Sequence, residues 1–369
     1  YGADVIMRAN YALEHGTEAL SMCVRKAVNE MLGSLAEDAG IRREDVFQVC
    51  VVGNTCMHHL FLGISPASLV HAPYTPAVSE RLVLNAGDYG LAVQERAELI
   101  MLSDIAGYVG ADTCGCLLAI RQDQQEEISL MIDIGTNGEM VLGNRERMVT
   151  CSTAAGPAFE GAKIECGMRG AAGAVDHVKY EDGKWNYTTV GNKPAVGLCG
   201  SGLIDLVAGL LDAGMLDENG VLRSGQEKQG VFILVLPERG GNERGVYLTQ
   251  KDLGEVQLAK AAIAAGIQML MERLGITEDD ICSVYIAGAF GNYMDPVSAG
   301  KIGLFPATLV KKVKPVGNAA GEGAKIALVN EKEMLEMDEL VRKIEFVELA
   351  ASADFQDHFI DELGFETGE

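Results

Sequence analysis

The chain has 369 residues, 48% of them hydrophobic and 22% charged, which is enough apolar content to bury the cores of two ordinary subdomains. Its 53 acidic side chains against 30 basic ones leave a net charge of −23, a field that repels nucleic acid and anionic membrane surfaces. No apolar run reaches membrane length and no charged leader precedes an apolar segment, so the expectation is a soluble cytoplasmic protein with neither nucleic-acid nor membrane partners.

In chain order, residues 4 to 36 carry Leu13, Leu20, Val24, Val28, Met31 and Leu35 at helical steps, which predicts one long amphipathic helix. A buried strand then ends at Gly53, and Asn54 or Thr55 can cap the helix that follows. His58 and His59 fall on different faces of that helix, where packing, capping and contact with a cobalt or phosphate partner are all open. Residues 66 to 78 hold Pro66, Pro73 and Pro76 and read as a linker or a packed extended segment, with a subdomain boundary between there and residue 100. From 99 to 120 the pattern is helical and dotted with glycine. A hairpin follows at 131 to 142, then short strands to about 190 and a helix over 201 to 213. The remainder alternates strand 231–236, helix 256–274, strand 283–288, helix 317–330, strand 344–349 and helix 352–363, an α/β order. The helix over 256–274 is expected in the core, with Ala262, Ala265 and Gly266 allowing another element to approach closely. Nine cysteines are scattered without a Cys-x-x-Cys pair, and Cys114-Gly-Cys116 offers two thiolates where zinc or a cluster takes four ligands; free, mostly buried thiols in a reducing compartment are expected.

The chemistry gathers at strand–glycine junctions. Asp133 ends a buried strand and is followed by Gly135, Thr136, Asn137 and Gly138, where glycine permits positive φ and bare N–H groups can face an anion. A carboxylate there is costly unless something answers its charge, as hydrated Mg²⁺ beside phosphates would. A type I′ turn at Asn137-Gly138 accounts for the same residues structurally. Gly200, Ser201 and Gly202 open an apolar helix whose first N–H groups could meet phosphate or ribose, or simply form a small-residue cap. Gly288, Ala289, Phe290 and Gly291 close another buried strand with room for a flat base. Gly317 begins a helix rich in Ala and Gly, suited to close packing.

These junctions resemble the actin, sugar kinase and chaperone ATPase superfamily (ASKHA, ribonuclease H-like), which implies a two-lobed α/β ATPase fold. Asp133-Ile-Gly-Thr-Asn-Gly-Glu139 is similar to its second phosphate hairpin, residues 286 to 291 to its adenosine element, and residues 317 to 321 to a connecting helix. More narrowly, YGADVIMR at 1 to 8, VVGNTCMHHLFLG at 51 to 63, STAAGPAFEGAKIECGMRG at 152 to 170 and VGLCGSGLIDLVA at 196 to 208 resemble the reductive activators of corrinoid proteins.

That resemblance implies ATP-dependent reduction of a corrinoid protein from Co(II) to Co(I), with ATP and Mg²⁺ as cofactors, a corrinoid protein as partner and a homodimer as the assembly. It implies that residues 1–98 are a middle region within the first lobe and 99–369 the C-terminal ASKHA domain. It further implies that this sequence is N-terminally truncated, the 2Fe-2S ferredoxin domain and a first phosphate hairpin lying before Tyr1. By the same resemblance Gly53, Asn54, Thr55, Gly317 and the glycine turns bind nucleotide, and Asp133 holds the metal. Glu139 and Glu160 are candidate water-positioning bases, although a salt bridge or turn hydrogen bond would also use them. A non-hydrolysing docking or dimerisation module and a small-molecule kinase are the alternative readings.

Overall fold

A computed structural model describes residues 2, 4–223, 230–237, 245–288, 290–350 and 352–365. The chain divides into two compact units, one of residues 1–126, 144–150 and 318–346, the other of residues 127–143, 151–317 and 347–369.

The first unit has a three-stranded sheet in which Glu98–Met101 lies between Gln48–Val51, parallel to it, and Leu82–Asn85, antiparallel. Its N-terminal helical segment is not continuous. Gly16, at φ 82°, ends the helix Val5–His15, and a second helix runs Glu18–Ala39. The break resets the helical phase: Val5, Ala9, Ala12 and Leu20 are buried in one cluster, Val24 and Val28 are half-buried against another, while Leu13, Met31 and Leu35 are exposed. The proline segment is packed. Ala67–Val70 forms one helical turn, and the Tyr108 hydroxyl donates to the Leu69 carbonyl at 2.7 Å. The helical reading of 99 to 120 holds only from Ala111, because Glu98–Met101 is a buried strand and a loop through Gly107 and Gly110 intervenes.

The helix Ala111–Ile120 packs on Ala319–Val329 through glycines, as the small-residue pattern anticipated. A Cβ on Gly115 would stand 2.6 Å from the Ala320 carbonyl oxygen, and one on Gly323 would overlap the Gly115 backbone. A further helix, Glu331–Val341, has no counterpart in the sequence reading. It is tied down where Asp338 accepts from Arg81 at 2.7 Å and from Ser103 at 2.8 Å.

In the second unit the strands stand in the order Val313–Gly317, Ile281–Ala287, Ile128–Ile134, Gly138–Gly143, the first three parallel and the third and fourth a hairpin. The helix Gln250–Leu274 starts earlier than its apolar stripe, on a Thr249–Asp252 capping box. Val256, Ala259, Ile263, Ile267 and Leu270 are buried, and a Cβ on Gly266 would come within 2.8 Å of Thr153 Cγ2, so the small residues bring helix and sheet together. A second sheet pairs Lys184–Thr189, Ala174–Glu181 and Gly197–Leu198, and the helix Gly200–Asp212 packs against its central strand. The last elements, Glu345–Phe346 and Ala353–Asp361, are shorter than the sequence pattern indicated. All nine cysteines are free, five of them buried. Among the described residues no helix is long and apolar enough to cross a membrane.

Candidate functional site

The hairpin of the second unit pairs Asp133 directly with Glu139, and parallel pairing sets Ala287 beside Asp133. Directly opposed residues project to one face of a sheet, so the two carboxylates lie together. The neighbouring positions Ile134 and Gly138 belong to the other face, where a Cβ on Gly138 would meet Thr153 Oγ1 at 2.9 Å and Ile263 of the helix Gln250–Leu274 at 3.2 Å. One face of the hairpin therefore packs on that helix, and the other carries the acid groups beside buried Met131 and Val141.

The tip is not a type I′ turn, because neither Asn137 nor Gly138 has positive φ. Ile134 pairs with Gly138, and the Gly135 N–H donates to the Asn137 carbonyl at 2.9 Å, closing a three-residue loop. The Thr136 hydroxyl donates to Glu160 Oε1 at 3.1 Å, which brings Glu160 from its turn after Pro157 onto the tip. A Cβ on Gly135 would stand 3.6 Å from the same oxygen. Glu139 is 8% exposed and accepts from the Ser152 hydroxyl at 3.5 Å. Ser152 and Thr153 thus join the hairpin, although nothing in their spacing marked them individually.

Gly288 is the glycine whose backbone requires it. Its φ is 90°, and a Cβ there would lie 3.0 Å from Asp133 Oδ1 and 3.4 Å from the Ile134 carbonyl oxygen. Its N–H donates to the Gly317 carbonyl at 2.9 Å, and Gly317 is itself at φ 62° beside the Asn292 side chain. Gly291 abuts Ile286, where a Cβ would sit 2.6 Å from Cγ2. Ala289 and the side chain of Phe290 lie outside the described residues.

The helix Gly200–Asp212 begins after Cys199 without a side-chain cap, and Gly200, Ser201 and Gly202 are buried. The first turn of a helix has N–H groups with no intrahelical acceptor, so a buried, uncapped start is suited to an anion. The Ser201 hydroxyl is spent on the Asp176 carbonyl at 2.8 Å, and Gly202 seats the helix against Val175, a Cβ there reaching 2.9 Å from the carbonyl carbon. Only the backbone of this turn is left to meet a ligand.

Gly53, Asn54 and Thr55 belong to the first unit. Asn54 caps its helix by accepting from the Met57 N–H at 2.9 Å, and Thr55 donates to the Ala106 carbonyl at 2.6 Å. The Gly110 backbone closes over all three, since a Cβ there would be 2.5 Å from the Gly53 carbonyl oxygen. His58 Nδ1 lies 2.8 Å from Asp104 Oδ2, and both groups are buried. His59 Nε2 accepts from the Ala77 N–H at 2.9 Å while Nδ1 reaches the Thr55 carbonyl at 2.8 Å, and burial lowers its pKa. His59 is committed to packing and turns, whereas His58 pairs with Asp104 through Nδ1 and leaves Nε2 buried without a hydrogen-bond partner among the described residues. Among the described residues no group of three or more His, Cys, Asp or Glu side chains is arranged to hold a metal ion.

Residues 127–369 match the model of the C-terminal domain of RACo, the ASKHA domain, and residues 1–125 match the RACo middle region. The corrinoid activation enzyme RamQ of Eubacterium limosum is 35% identical over 378 residues, which is 98% of this chain and 63% of that protein. The [Co(II) methylated amine-specific corrinoid protein] reductase of Methanosarcina barkeri is 26% identical over 399 residues, 99% of this chain and 71% of that protein. A solved reductive activator for corrinoid, iron-sulfur protein superposes with a TM-score of 0.90 at 37% identity, covering 99% of this chain and 60% of that one. The chain thus spans about three fifths of the length of RamQ and of the solved activator. With an ASKHA domain over residues 127–369 and the middle region before it, the chain belongs to the RACo family.

Proposed function

We propose that this chain is the nucleotide-binding portion of an ATP-dependent activator that returns a corrinoid protein from Co(II) to Co(I). The observation that carries the reading is the contact of Asp133 with Gly288: a carboxylate at a strand end faces a left-handed glycine whose Cβ would stand 3.0 Å from Oδ1. The residues fit Mg²⁺ and a nucleotide, because Asp133 and Glu139 share one face and Mg²⁺ is held by one or two carboxylates plus phosphates. Bound there, the ion would neutralise phosphate charge and order water.

In this reading Asp133 orients the metal-bound shell, and Gly135, Thr136, Asn137 and Gly138 present the loop to phosphate. The uncapped turn at Gly200, Ser201 and Gly202 supplies N–H groups to phosphate or ribose. Gly288 and Gly291, with Gly317 bonded to Gly288, form the wall for adenosine. Glu160, held by Thr136, or Glu139 positions the water that attacks. The partner is a corrinoid protein, the assembly a homodimer, and the electron comes from a 2Fe-2S cluster in a segment outside these residues. The single-electron step is uphill, and each ~59 mV of gap is a factor of about ten in population, which nucleotide-driven closure on the partner offsets.

The test uses the full-length protein. Asp133→Ala is expected to slow ATP hydrolysis on the order of 10²-fold, as for loss of a preorganised electrostatic group. An unchanged rate removes Asp133 from the mechanism. Calorimetric titration of the same protein with ATP and Mg²⁺ separates catalysis from docking, since neither heat nor a melting shift leaves a docking module alone.

A further inference from the structure

The first unit holds a concavity that the nucleotide reading leaves unused. About 600 Å³ of space opens between the helix Glu18–Ala39, Arg43 and the turn Ala86–Tyr89, a volume within the range of small-molecule pockets. Arg25, Lys26 and Arg43 line it, in a protein whose net charge is −23.

Among the described residues none of the three cations is closely paired with a carboxylate. The Arg25 guanidinium lies 5.8 Å from the Phe61 ring centre and 5.1 Å from that of Tyr89, and donates through Nε and Nη2 to the Phe61 carbonyl at 2.9 and 2.6 Å. That acceptor is neutral, and burial pushes the guanidinium's pKa down. Arg43 lies along the helix where Gly33 leaves a seat for it. A Cβ on Gly33 would strike Arg43 Nη2 and come within 3.0 Å of Cζ, and among the described residues Arg43 has no ion-pair partner. Lys26 is 3.9 Å from Glu30, at the limit of an ion pair. Asn29 fixes the wall by donating to the Gly90 carbonyl at 2.8 Å and accepting from the Ala92 N–H at 2.7 Å. Glu30 and Asp88 also border the space, so three cations face two carboxylates.

We propose that this concavity binds the phosphate group of a small molecule between Arg25, Arg43 and Lys26. The Arg43 fork, the Arg25 N–H groups not bonded to the Phe61 carbonyl and the Lys26 ammonium offer more charge-assisted donors than the two oxygens of a carboxylate can use, and a phosphate dianion brings three oxygens and the larger charge. Tyr89 and Met22 supply the apolar surface for the remainder of the ligand.

The test is calorimetric titration of inorganic phosphate into the chain at low ionic strength, where the Debye length is about 30 Å. Arg43→Met is expected to weaken binding about tenfold, the loss of one charge-assisted contact. Gly33→Ala should weaken it by a similar factor with no change of charge, because the methyl displaces the guanidinium. Alanine also favours a helix over glycine, so that variant stays folded should Arg43→Met not. Asp88→Asn, which removes a repelling carboxylate, should tighten binding about threefold, as one exposed charge at high effective dielectric allows. No phosphate binding by the wild type overturns the proposal. So does equal affinity in the wild type and Gly33→Ala, or binding that is lost in Asp133→Ala and kept in Arg43→Met.

Discussion

Replacing Gly288 by alanine tests the site at its tightest point. At φ 90° a residue with a Cβ is strained by about 1–3 kcal/mol. The added atom would also stand 3.0 Å from Asp133 Oδ1 and 3.4 Å from the Ile134 carbonyl oxygen, so one of them must yield by a few tenths of an ångström. Asp133 is the softer of the two, being a side chain rather than a strand backbone, and it moves. For a unit of this size class 1 kcal/mol is about 2–4 °C in Tm, which gives a loss of about 2–12 °C for Gly288→Ala. Movement of the carboxylate should additionally weaken binding of ATP with Mg²⁺ about tenfold or more, by calorimetric titration at a temperature where the variant is fully folded. The reasoning fails if Gly288→Ala melts with the wild type and binds ATP equally well, since the glycine would then be neither conformationally required nor next to a working carboxylate.

Gly323→Ala should destabilise the first unit by about 1–3 kcal/mol, because its Cβ would be 2.6 Å from the Gly115 Cα and would meet backbone with no rotamer to turn away. A urea midpoint equal to the wild type's would refute this. Gly254→Ala, in the helix Gln250–Leu274 with nothing within 4 Å of its Cβ, should instead raise stability by about 0.5–1 kcal/mol, and a lowered midpoint would contradict the helix geometry. His59 sets a pH dependence. Burial lowers its pKa below 6.5, so between the folded value and 6.5 the unfolded chain binds more protons; its contribution is complete above pH 6.5 and drains as the pH falls. Protonation also removes the lone pair that accepts from the Ala77 N–H. Melting of the wild type should therefore fall from pH 7.5 to 5.5 more steeply than that of His59→Gln, and parallel slopes would exclude the mechanism.

How much of the fold the sequence discloses depends on which physical signal each element carries. The helix Gln250–Leu274 is legible because its apolar stripe writes a clean period, and the strand Ile128–Ile134 because a short continuous apolar run ends at a glycine turn. The N-terminal helices are not, because a helical period continues through Gly16 by chance of spacing, and only the left-handed glycine resets the phase. The strand Glu98–Met101 hides in a helical pattern for a related reason: with three of its four residues buried, its apolar run has no alternation to distinguish it. The helix Glu331–Val341 is polar over most of its surface and is held by Asp338 and Glu333, which bonds Arg121, and its apolar stripe is short, with only Met334 and Met337 buried.

The candidate site was legible as a set of glycine junctions, yet the physical reasons for the glycines divide three ways. At Gly288 and Gly317 the backbone is left-handed, a demand that only a residue without a Cβ meets at little cost. At Gly138, Gly202 and Gly291 φ is ordinary and the demand is space, since a Cβ would press on Thr153, Val175 or Ile286. Gly135 has room for a Cβ and an ordinary φ, which leaves its bare backbone facing the Glu160 carboxylate as the feature a ligand would meet. A sequence writes the same letter for all three. The Asn137-Gly138 pair reads as a turn signal on local propensity alone, but the contact that fixes Gly138 comes from Thr153 and Ile263, 15 and 125 residues away in the chain. Local rules therefore locate such a site by the density of its glycines, while the one glycine that bears on Asp133 is distinguished only once the strands Ile128–Ile134 and Ile281–Ala287 are paired in register.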